Sequence, residues 1–101
     1  MNEEMKKLRA LLDAENIEWE DKSDYSIYPI CRTHFSYSGQ RWSVIHGYGT
    51  YGGYDPFTGT DRGLLEAWSF SGEPIGYLTA EEVMRYVKGT DDDETANDKS
   101  E

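Results

Sequence analysis

Apolar and polar positions recur along this chain with two different periods. Near the start Met5, Leu8, Leu11 and Leu12 fall on one face at helical spacing, which predicts a helix over residues 3–15. Glu3 stands four residues before Lys7, in the favourable orientation for a pair along a helix. Asn16 suits the left-handed position just past the helix, with Ile17 folding back on Leu12. The period then changes to two. Ile17-Glu18-Trp19-Glu20 alternates apolar and acidic, the mark of a short half-buried strand. Residues 28–46 read as a hairpin about Ser38-Gly39, where glycine supplies a positive φ. That turn sets Phe35 opposite Trp42, Thr33 opposite Val44 and Cys31 opposite His46, with Tyr37 on the same apolar face. The other face carries Arg32, His34, Ser36, Arg41 and Ser43, with Ile45 as the exception. A slip of one residue would mix the two faces, so the pattern itself fixes the register.

Residues 47–63 break the pattern. They hold Gly47, Gly49, Gly52, Gly53, Gly59 and Gly63 among Tyr48, Tyr51, Tyr54 and Phe57. A connection this long in a small domain is expected to serve a function or to be mobile. Residues 64–70 form the next strand, 71–74 a turn, and 75–78 a short edge strand. A final helix opens on Thr79 with Glu82 three residues later, a capping box, while Leu78 and Val83 take the places of a hydrophobic staple. Val83, Tyr86 and Val87 line its inner side, and Gly89 ends it. The expectation is a single α+β domain over 1–89: one antiparallel sheet of four to five strands, with the N-terminal and C-terminal helices on one face. Residues 90–101 contain six acids, one lysine and one apolar residue, and are expected to be a disordered acidic tail.

Composition narrows the function classes. The 101 residues leave room for one core, and 14% of them are aromatic. The net charge of −10 argues against direct binding to nucleic acid, because neutralising a phosphate backbone needs Lys and Arg. No apolar run is long enough for a membrane span, and the charged start offers no secretory signal. The single Cys31 excludes an internal disulfide. These features together point to the cytoplasm.

Few residues suggest chemistry. Gly47, Gly49 and Gly52 spell Gly-x-Gly-x-x-Gly, but a turn at 53–56 follows where a dinucleotide site needs a helix. Cys31, His34 and His46 are too few and point to different faces, so no metal site is expected. The same pair Cys31 and His46 lies at the end of the core face and reads as a buried thiol beside a hydrogen-bonded histidine. Asp55 and Asp61 lack the alternating acids of a calcium loop. No cofactor is expected, and no nucleophile, base and orienting group converge, so an enzyme is not expected.

Three surfaces remain. Glu18, Glu20, Asp21 and Asp24 are the densest acidic group in the folded part, suited either to a basic groove or to protection of a sheet edge. Tyr48, Tyr51, Tyr54 and Phe57 offer rigid contact area on a glycine-rich backbone that a partner can approach closely, or the tyrosines cap an undersized core. Arg32, His34 and Arg41 form a small basic spot that suits an anionic ligand or pairs with Glu18 or Glu20.

The stretches Val44–Gly53, Gly63–Glu66 and Gly76–Val83 give the chain its resemblance to small acidic accessory proteins encoded by phages and prophages of gut bacteria. That resemblance implies an anti-defence role of the anti-CRISPR kind, and it carries over no site residue. The leading expectation is a non-enzymatic protein-binding module. It would inhibit a nucleic-acid-handling protein through its acidic surface and Gly/Tyr loop, with a basic protein surface as partner. A small anionic-ligand or nucleotide-binding protein is the alternative. A structural protein that self-associates through exposed aromatics is the third.

Overall fold

In the computed structural model, which describes residues 1–70 and 72–89, two helices accompany a main antiparallel sheet of five strands. Helix α1 spans Glu3–Ala14. The Asn2 side chain accepts from the Met5 N–H and caps it. It ends as its sequence dictates: Asn16 takes φ 59°, the Ile17 N–H reaches Leu12 O at 2.9 Å, and the Asn16 N–H reaches Asp13 O at 3.0 Å.

The strands are β1 (Trp19–Asp21), β2 (Ile30–Tyr37), β3 (Gln40–Gly47), β4 (Tyr54–Asp55), β5 (Thr60–Asp61), β6 (Leu65–Ser69) and β7 (Ile75–Leu78). The main sheet runs β1-β2-β3-β6-β7, and β4 pairs with β5 as a separate ribbon. The hairpin of β2 and β3 has the expected register, Phe35 opposite Trp42 and Cys31 opposite His46. Its turn is Ser38-Gly39, both at positive φ.

Helix α2 spans Ala80–Lys88 and carries the full capping box. The Glu82 N–H donates to Thr79 Oγ1 at 3.2 Å, and the Thr79 N–H donates to Glu82 Oε1 at 2.9 Å. Gly89 closes it at φ 68°. Two contacts join the helices. Glu4 Oε1 accepts from the Ala80 N–H at 2.7 Å, and Lys88 Nζ meets Glu15 Oε2 at 2.6 Å. One tie joins the N-terminal ends and the other the C-terminal ends, so the helices run side by side in the same direction.

Met5, Leu8 and Leu12 from α1 join Phe35, Trp42, Val44, Leu65 and Ala67 from the sheet and Ala80, Val83, Met84 and Val87 from α2 in one buried cluster. Removal of this apolar area from water is the main stabilising term. Arg9 shares the buried stripe of α1, whereas Leu11 is only half-buried. The stripe is therefore 5-8-9-12, with the arginine at a position that helical spacing reserves for the core.

The segment 47–63 is more regular than its composition suggests. It contains the β4–β5 ribbon and is pinned at several points. Gly49 N–H donates to Tyr54 O at 2.8 Å, Leu64 N–H to Gly52 O at 2.9 Å, and Tyr77 N–H to Tyr51 O at 3.1 Å. A Cβ at Gly76 would collide with Cβ and the carbonyl of Tyr51, so glycine is what lets β7 lie this close to the loop. The tail expected over 90–101 lies outside the described residues. Among the described residues, no helix is long and apolar enough to cross a membrane.

Candidate functional site

The end of the sheet formed by residues 24–30 and 47–63 gathers most of the exposed large apolar side chains. Tyr28 stacks on Tyr48 with centroids 4.1 Å apart and planes 10° apart, and Tyr48 stacks on Tyr54 at 5.7 Å. Beyond Tyr54 the ribbon turns at Pro56-Phe57. This turn is held by Asp55, whose side chain accepts from the Phe57 N–H at 2.9 Å and whose carbonyl accepts from the Gly59 N–H at 2.8 Å. Phe57 is left 97% exposed at the tip, and Ile27, at the tip of the neighbouring 24–30 loop, is 81% exposed. The 24–30 loop is itself fastened. Asp24 and Ile30 exchange both backbone hydrogen bonds at 2.9 Å, and Asp24 Oδ1 accepts from the N–H and hydroxyl of Ser26. Tyr51 is exposed on the same loop system, its N–H held by Glu66 Oε1 at 2.8 Å. Tyr48, Tyr51, Tyr54 and Phe57 therefore share one end of the molecule, three of them exposed and Tyr48 half-buried within the stack.

The acidic residues do not share one patch. Glu20 pairs in register with His34 and lies on that face, where its carboxylate meets Arg41 at 2.9 Å. The hydrogen bond from Arg41 and the charge of Lys22 hold the Glu20 carboxyl below its usual value. Asp21 pairs with Thr33 and points to the opposite face, 3.2 Å from the Arg9 guanidinium. Hydrogen bonds from Ser23, ahead of the charge of Arg9, hold its carboxyl low. Asp24 belongs to the aromatic end, and hydrogen bonds from Ser26 hold its carboxyl low. Glu18 is exposed just before β1. Alternation along β1 separates Glu20 from Asp21, so a cluster in sequence becomes two faces in space.

Arg9 is the functional-looking group that sequence reading missed. Its Nε donates to Thr33 Oγ1 at 2.8 Å and its Nη2 to Arg32 O at 3.3 Å, while the guanidinium lies 4.7 Å from the centroid of the Trp19 ring. Nη2 also approaches Cys31 Sγ at 3.9 Å. Across the strand pair from Cys31, His46 Nε2 meets Asp61 Oδ1 at 3.0 Å. Burial pushes the Asp61 carboxyl up, but hydrogen bonds from His46 and the Gly63 N–H outweigh it and hold the carboxyl below its usual value. Cys31, His46 and Asp61 thus border one hollow of about 590 Å³, walled by Tyr25, Tyr48 and Tyr54. Cys31 is buried, and no hydrogen bond joins its sulfur to His46. The carboxylate that fixes His46 comes from the ribbon, which the linear pattern did not place beside β3.

Arg32, His34 and Arg41 lie on one sheet face, as the alternation requires. The structure adds Trp68 and Phe70 to them: the rings of His34 and Phe70 meet edge to face at 5.5 Å, and those of Phe70 and Trp68 at 4.7 Å. Among the described residues no group of three or more His, Cys, Asp or Glu is placed to hold a metal ion. In comparisons with protein-family models, with curated proteins and with solved structures, nothing matches this chain.

Proposed function

We propose that this protein is a non-enzymatic binding module that docks its aromatic end, residues 24–30 and 47–63, onto a basic surface of a nucleic-acid-handling protein. The observation that carries this reading is Phe57: a phenylalanine left 97% exposed at the tip of a ribbon that backbone and Asp55 hydrogen bonds hold in one shape. Apolar patches of this kind on a protein surface mark interaction sites. A patch already ordered before binding loses little entropy when it docks. The acidic side chains around the tip (Asp24, Asp55 and Asp61) supply the charge that steers a basic partner. Both helices cover, in this reading, the sheet face carrying Phe35, Trp42 and Val44, a placement supported by the single buried cluster they share. The resemblance to phage accessory proteins supports an anti-defence role for such a module.

The test is co-purification from lysate of the source cell at low and high salt, read by mass spectrometry. The reading expects one basic nucleic-acid-handling protein retained at low salt and released at high salt, with Asp24→Asn weakening the retention. Retention that ignores salt, or no retained protein at either salt, contradicts it.

A further inference from the structure

The sheet face that carries Arg32 and His34 holds a hollow of about 620 Å³, separate from the aromatic end. The strand registers explain it. One cross-strand row runs His34, Ser43, Trp68, and the next runs Arg32, Ile45, Glu66. Ser43 is the small member between two large rings, so it forms a floor between walls. The walls are fixed. Trp68 Nε1 donates to Gly72 O at 2.8 Å, and Phe70 is wedged between the rings of Trp68 and His34. Even so, Trp68 and Phe70 remain 40% and 45% exposed.

The charges around the hollow are uneven. Arg41 is taken by Glu20 and Arg9 by Asp21, but among the described residues no ion pair takes Arg32. Its guanidinium makes only a 3.5 Å contact with the Lys22 carbonyl oxygen. Asp24, the carboxylate that feels Arg32, spends Oδ1 on Ser26. Glu66 lies across Ile45 from Arg32 and holds the Tyr51 N–H with one oxygen. The His34 imidazole is held below its ordinary value by burial first and then by Arg41, Arg32 and Lys22, with Glu20 opposing them. At His34 the nearby cations outweigh Glu20, although the chain as a whole carries −10.

We propose that this hollow binds a nucleoside monophosphate, with the base against the Trp68 and Phe70 rings and the phosphate on Arg32. A fixed aromatic wall favours a flat ring, and stacking of one base is worth about 1–3 kcal/mol. An unpaired guanidinium beside it selects a phosphate, which it takes with two parallel hydrogen bonds. The second oxygen of Glu66 is an acceptor for a ribose hydroxyl. A long nucleic acid is a poor occupant, because the chain as a whole carries −10 and would repel its further phosphates.

The experiment titrates AMP, UMP, adenosine, inorganic phosphate and a single-stranded oligonucleotide into the full chain at low salt. Amide and indole N–H shifts are followed by NMR, with affinities from calorimetry. The proposal expects AMP and UMP to saturate and to move the Trp68 indole N–H, the Arg32 amide and, through Glu66, the Tyr51 amide, leaving Tyr54–Thr60 unmoved. Adenosine and phosphate should each bind at least about tenfold more weakly than AMP. Arg32→Ala and Trp68→Leu should each weaken AMP about tenfold, with Phe57→Ser unchanged. If Trp68→Leu fails to fold, Arg32→Ala and Arg32→Lys decide the matter alone, the lysine restoring only part of the affinity. Phosphate binding as tightly as AMP shows an anion site without a base and overturns the proposal. So do adenosine binding as tightly as AMP, an oligonucleotide binding more tightly per site, shifts centred on the aromatic end, or no saturation by about 10 mM.

Discussion

Arg9 shows what a single buried charge asks of its surroundings. Placed on the apolar stripe of α1, its guanidinium is satisfied by Thr33, the Arg32 carbonyl, Asp21 and the face of Trp19. Asp21 is half-exposed, so the ion pair itself contributes little, and the hydrogen bonds and packing contribute most. Arg9→Ala should therefore cost about 2–4 kcal/mol in urea unfolding, through the lost packing and the lost hydrogen bond to the buried Thr33 hydroxyl. Asp21→Asn should cost about 1 kcal/mol or less. Equal losses would show that the ion pair dominates.

A second residue-scale prediction concerns His34, whose ordinary value of 6.5 is depressed in the fold by burial and by Arg41, Arg32 and Lys22. The unfolded chain then takes up the proton first as pH falls. The contribution of His34 to stability is complete above pH 6.5 and is lost as pH drops below it towards the depressed value. Urea midpoints measured at about pH 7.5 and about pH 5.5 should show the loss, and His34→Gln should reduce it. A midpoint that rises on acidification through this window contradicts the assignment.

At the scale of elements, local rules and long-range pairing were legible to different degrees. The capping box of Thr79 and Glu82, the left-handed Asn16 and the β2–β3 register were readable because each is set by residues close in sequence. Thr79→Ala should lower stability by about 1 kcal/mol, and an unchanged melting curve would dissociate the box from stability. The β4–β5 ribbon was hidden, since two-residue strands carry no period to read. Arg9 was hidden by its chemistry, because a charged residue at a core-facing position looks like a break in the stripe. The acidic group was legible as composition only: alternation along β1 sends Glu20 and Asp21 to opposite faces. The ribbon also makes an element-scale prediction. Amides of Gly49, Gly59 and Leu64, all hydrogen-bonded, should exchange with solvent more slowly than that of Thr58. Uniformly fast exchange across 47–63 would mean that the exposed tip is not preorganised.

For the whole molecule, the proposed docking surface and the buried cluster lie in different places. One buried cluster ties the two helices to the sheet, while the aromatic end carries its exposed side chains on segments fastened by backbone and carboxylate hydrogen bonds. A change at Phe57 should therefore alter binding without altering the fold. The most direct test compares co-purification at low salt of the wild-type chain, Phe57→Ser and, as a control on the opposite function, Arg32→Ala, with the melting temperature of each recorded. The account predicts that Phe57→Ser loses the partner retained by the wild type while melting at the same temperature, and that Arg32→Ala keeps it. Equal retention by wild type and Phe57→Ser would contradict the assignment of the aromatic end as the docking surface.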